Sequence, residues 1–150
     1  MMNQPGAGAN MEAQLRLLRI LWAAFLTTIG LYVLVTLFAL PGAGAQERAE
    51  RDNPALLLGL GAVALTTVVL SFVLKKKMYG EAAGRRDPAR FQTGFIIALA
   101  LAESAALFGV VALFVTLNSY AYLFLALGGA AIALHFPRRD ELATAYYGRR

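Results

Sequence analysis

Four long runs of apolar residues, separated by short polar or basic stretches, set the pattern of this chain: Ile20–Leu40, Pro54–Leu74, Phe91–Leu117 and Tyr120–Phe136. The first two carry no charged residue, and the third carries one, Glu103. At ~1.5 Å rise per residue a helix over 91–117 is ~40 Å long, enough to cross a bilayer core of ~30 Å with some tilt. The fourth run stands at the short end of the spanning range. The pattern predicts an all-α polytopic membrane protein, a bundle of four transmembrane helices at about 20–40, 54–74, 91–117 and 120–136. Residues 1–150 then form a single integral membrane domain.

The residues between the runs are the punctuation. Pro41-Gly42 stop the first helix, while Asn53-Pro54 supply a cap and a favourable first position for the second. Asn118-Ser119 leave room only for a tight turn, so the third and fourth spans are expected as an antiparallel hairpin. Along the second span Ala55, Gly59, Ala62 and Thr66 make a small-residue stripe on which a neighbouring helix can come close. Residues 1–10, MMNQPGAGAN, have nothing to bury and are expected to be disordered. Met11 to Arg19 place leucines beside arginines, as an interfacial first turn does. The polar tail 137–150 is expected on the cytoplasmic side at the interface. Ala43-Gly44-Ala45 after the first span imitate a signal-peptide cleavage site. That span is longer than the ~7–15 residues of a signal's apolar region, so it reads as a retained anchor, with removal of residues 1–45 as the alternative.

Charge then orients the bundle. With four spans both termini share one side, and that side holds Arg16, Arg19, the six basic residues of the 75–90 loop and the four arginines of the tail. Only Arg48 and Arg51 lie opposite. The positive-inside rule predicts both termini in the cytoplasm, in a bacterial inner (plasma) membrane. The net charge of +5 is thus a topology signal, and without a recognition motif it points to no nucleic acid. Lys75, Lys76, Lys77, Arg85 and Arg86 are candidates for anionic lipid headgroups, each near-surface charge being worth ~1 kcal/mol.

Chemistry-bearing residues are few. The chain has no cysteine and one histidine, His135, expected as an interfacial residue; neither disulfides nor a metal cluster follow. Nucleotide-binding and hydrolase motifs are absent, and no second mid-membrane charge accompanies Glu103, so neither an enzyme nor a cofactor is expected. Hydroxyls at Thr27, Thr28, Thr66, Thr67 and Ser71 either line a pore or bond their own backbone. Glu103 is the candidate site for a proton or ion. An ionised carboxylate at that depth costs on the order of 2.5–3.5 kcal/mol or more, so it calls for a partner, a cavity or a neutral, hydrogen-bonded form. Tyr32 and Thr66 lie at its depth, and Ser104 is adjacent. On the same helix Ala98, Ala102, Ala105, Gly109 and Ala112 gather on one face expected to pack against sister helices. Glu103 points roughly 140° from that face, toward the bundle edge where lipid or another subunit meets it.

The stretch QTGFIIALALAESAALFGVVALFV resembles the carboxylate-bearing helix of subunit c, the proteolipid of rotary ATP synthases. The matching positions are Gln92, Thr93, Ala100, Leu101, Glu103 and Gly109, and Arg86-Asp87-Pro88 is similar to the family's Arg-Gln-Pro loop with Asp in place of Gln. The resemblance covers about residues 86–117 and implies Glu103 as the proton carrier. The second span lacks the family's dense run of alternating glycines. The chain also looks like small four-helix bacterial membrane proteins of uncharacterised role. Two functions are expected to compete: a non-enzymatic accessory or assembly subunit of a larger membrane complex with Glu103 as an intramembrane contact, and a homo-oligomeric subunit translocating a proton or cation at Glu103.

Overall fold

The computed structural model describes residues 7–39 and 44–148, and all regular structure among them is helical. The helices are α1 (Ala7–Ala39), α2 (Ala45–Arg51), α3 (Pro54–Arg85), α4 (Pro88–Thr116), α5 (Tyr122–Leu134) and α6 (Arg139–Tyr147). A single 3₁₀ turn, Ser119–Ala121, leads into α5. Helices α1, α3 and α4 are long and apolar enough to cross a membrane. Ser119–Leu134 and α6, bent by 54° at the break between them, are long and apolar enough only when taken together. At 13 residues α5 measures only ~20 Å by itself.

Local sequence explains the helix ends. The Asn53 side chain accepts from Leu56 N at 3.0 Å with Pro54 at the first position, and Asp87 repeats the device on Arg90 N at 3.1 Å ahead of Pro88. Arg86 (φ 53°) and Leu117 (φ 52°) take the left-handed conformation that closes α3 and α4. Asn118 then caps the 3₁₀ turn through Tyr120 N at 2.9 Å, producing the tight reversal between α4 and α5.

Several sequence expectations change. Residues 7–10 are helical rather than disordered, because α1 is one helix of 33 residues that takes in the interfacial turn. The expectation for residues 1–6 lies outside the described residues, as does Ala43 of the cleavage-like triplet. Most of the expected 75–90 loop is helix: α3 runs on to Arg85, leaving only Arg86-Asp87 as the turn. Lys, Met, Glu and Ala all favour helix, and no proline intervenes before Pro88, so the change from apolar to charged residues does not end the helix. The stripe Ala55, Gly59, Ala62 and Thr66 faces outward, and a Cβ added at Gly59 would meet nothing within 4 Å. The opposite face of α3, with Ala64, Val68 and Ser71, is buried instead. There Gly61 receives the Phe124 ring, whose Cζ would lie 2.9 Å from an added Cβ.

Helix α4 is the centre, packing against α1, α3, α5 and α6. Its predicted small face, Ala98, Ala102, Ala105, Gly109 and Ala112, is wholly buried. At Gly128 of α5, a Cβ would fall 2.8 Å from the Ala102 carbonyl oxygen and 2.8 Å from Ala106 N. At Gly109 it would fall 2.3 Å from Leu125 Cδ1. Gly128→Ala is therefore expected to cost about 1–3 kcal/mol by forcing α4 and α5 apart. Gly59→Ala should be neutral or stabilise by up to ~1 kcal/mol, since alanine is the better helix former and the space is open. Reversible unfolding in mixed micelles followed by circular dichroism measures both.

Candidate functional site

The polar interior of the bundle begins at Glu103. Its Oε1 accepts a hydrogen bond from the Tyr32 hydroxyl of α1 at 2.9 Å, joining two helices 71 positions apart in sequence. The carboxyl is half-buried, while Leu99 and Ala106 one turn to either side are completely buried. What meets this side of α4 is thus α1 of the same chain. Of the polar candidates, Tyr32 alone reaches the carboxyl. Ser104 donates to Ala100 O at 2.8 Å, and Thr66 donates to Ala62 O at 2.8 Å on the exposed side of α3.

The other hydroxyls behave in the same way. Thr27, Thr28, Thr67 and Ser71 bond carbonyls three or four residues earlier on their own helices. That satisfies each group within its own helix, as membrane helices commonly do.

A second polar cluster gathers where α6 folds back on the basic end. Tyr146 OH donates to Gln14 Oε1 at 2.8 Å, and Gln14 Nε2 donates to the Pro88 carbonyl at 3.1 Å, tying α6, α1 and the start of α4 together. Arg139 pairs with Glu12 at 2.7 Å, Lys75 with Glu141 at 3.5 Å, and Arg90 with Glu81 through its Nε at 2.7 Å. Between α3 and α6 lies an open groove of about 580 Å³, bordered by Lys75, Lys76, Tyr79, Asp140, Glu141 and Thr144 over Phe72 and Ala83. Lys75 and Tyr79 stand beyond Leu74, where the uninterrupted apolar run of α3 ends. Burial pulls the Lys75 ammonium below its ordinary range, with Glu141 opposing, and burial followed by Glu141 pushes the Tyr79 hydroxyl up. Of the five headgroup candidates, Lys75 and Lys76 border this groove. Lys77, Arg85 and Arg86 are exposed outside it, Arg86 beside Gly148 in a smaller cavity of about 330 Å³.

His135 departs from the expectation of an interfacial side chain. It is completely buried, with Nε2 3.0 Å from Ser71 Oγ and its ring edge-on to Phe72 at 4.4 Å between centroids. Trp22 of α1 donates to the Ile132 carbonyl at 2.8 Å one turn away. Sequence reasoning also passed over Gln14, Tyr79 and Glu141, and expected Tyr146 only as an interfacial residue of the tail. The available signal was their position just outside the apolar runs, which puts all four at one end of the bundle.

Comparison with family models, with curated proteins and with solved structures gave no match in any of the three.

The Tyr32–Glu103 contact should register as an energetic coupling. In a double-mutant cycle of Tyr32→Phe and Glu103→Gln, unfolding free energies in micelles are expected to show about 0.5–1.5 kcal/mol of interaction. The cycle of Thr66→Val with Glu103→Gln should show none, because Thr66 turns to its own helix.

Proposed function

We propose that this protein is a non-enzymatic accessory or assembly subunit of a larger membrane complex, with Glu103 serving as an intramembrane hydrogen-bonding contact. The observation that carries this reading is the Tyr32–Glu103 bond: the one charged residue deep in α4 closes on a helix of its own chain. It thereby holds α1 against α4, in a setting where a carboxyl without a partner is costly. The stripe Ala55, Gly59, Ala62 and Thr66, which none of the described helices covers, supplies the surface on which a partner helix would pack. We further propose four crossings in a bacterial inner membrane, the last over about 120–136, with both termini, the tail 137–150 and the 75–90 stretch in the cytoplasm by the charge rule.

The alternative is a proteolipid-like subunit that translocates a proton or cation, with Glu103 as the binding carboxylate. It draws on the half-burial of Glu103, whose only hydrogen-bond donor among the described side chains is Tyr32. Carbodiimide treatment of the purified protein in mild detergent, read by peptide mass with Glu103→Gln as control, separates the two. The accessory reading expects Glu103 unmodified while exposed carboxylates react, in a monomer, dimer or mixed complex. Selective, pH-dependent modification of Glu103 in a ring-sized homo-oligomer would replace it with the transport reading. Orientation is tested by single thiols, since the chain has no cysteine. A cysteine at Lys77 should be labelled by an impermeant maleimide only from the cytoplasmic side, and one at Gln46 only from the opposite side.

A further inference from the structure

The groove between α3 and α6 is divided by charge. The ammonium groups of Lys75 and Lys76 border it from α3, while the carboxylates of Asp140 and Glu141 border it from α6. Phe72 and Ala83 add apolar surface. Two polar atoms here are buried without a hydrogen-bond partner: the Tyr79 hydroxyl, and Glu141 Oε2, which has only the ion pair to Lys75 at 3.5 Å. A buried donor or acceptor left unmade is costly, so the pair of atoms calls for a molecule that both accepts and donates hydrogen bonds. The groove starts within one helical turn of Leu74, the end of the apolar stretch of α3, at the depth where phospholipid headgroups lie.

We propose that this groove binds a phospholipid whose headgroup joins a phosphate to a primary ammonium, a phosphoethanolamine lipid. The phosphate accepts from Lys75, Lys76 and the Tyr79 hydroxyl, and the ammonium donates to Asp140 and Glu141. The apolar groove surface receives the start of the acyl region. A purely anionic headgroup satisfies the α3 wall and meets the α6 carboxylates with like charge. A quaternary ammonium has no N–H for Glu141 Oε2. The inference is independent of the role proposed for Glu103, because it concerns the basic end of α3 and different residues.

The test is native mass spectrometry of the full chain in mild detergent. Phosphatidylethanolamine, phosphatidylglycerol and phosphatidylcholine of matched acyl chains are supplied in equal amounts. One phosphatidylethanolamine should be retained in preference to either competitor by about fivefold or more, the value of one near-surface charge contact. Lys76→Gln, at an exposed position, should lower retention of phosphatidylethanolamine and phosphatidylglycerol alike. Asp140→Asn, also exposed, should erase the preference over phosphatidylglycerol. Tyr79→Phe keeps the ring that stacks on Phe91 and should still weaken retention. Equal or better retention of phosphatidylglycerol, or no headgroup preference, overturns the proposal. Displacement of the lipid by equimolar soluble phosphoethanolamine overturns the lipid as its source.

Discussion

Everything in this bundle depends on how closely α5 can approach α4. Gly128 sits where a single added carbon would collide with the Ala102 carbonyl oxygen and Ala106 N, and Gly109 sits where it would collide with Leu125. In a bilayer no hydrophobic force drives helices together, because lipid tails are as apolar as leucine; contact comes from close van der Waals fit. The small face of α4 and the glycine of α5 supply that fit. With α5 seated, α1 packs on both α4 and α5, and its Tyr32 hydroxyl comes within hydrogen-bonding distance of Glu103.

The two ends of the bundle are closed by different chemistry. At the α4–α5 turn a single side-chain bond, Asn118 Nδ2 to Asp52 Oδ1 at 2.9 Å, reaches back to the residues before α3. At the basic end α6 turns under the bundle, burying Leu142 and Ala145 completely and linking to α1 and α3 through ion pairs and through Gln14. Charged residues that flank the apolar helices thus hold the terminal helix in place. The Arg139–Glu12 pair is exposed, so it does not carry the full cost of burial.

His135 shows how such a junction is made. At the break between α5 and α6 the chain buries an imidazole against Ser71 and Phe72 of α3, and Trp22 of α1 bonds the Ile132 carbonyl just before it. The break therefore has partners on both neighbouring helices. The bend is held in place by those contacts, with Pro137 buried beside it.

The sequence by itself determined that the chain is helical and made of apolar spans, because in lipid each backbone N–H and C=O must be satisfied within its own segment. It also determined where α3 begins, since Asn53-Pro54 act through a bond three residues away, whereas the start of α4 at Pro88 came from the structure. The buried face of α4 was legible because its small residues recur at helical spacing. Only the tertiary structure decided which small face of α3 turns inward, since spacing alone cannot choose between Ala55-Gly59-Ala62 and Gly61-Ala64-Val68; the Phe124 ring does. It likewise decided the partner of Glu103, the burial of His135 and the groove between α3 and α6. Each of those joins residues more than sixty positions apart, and such distances close only when the helices pack.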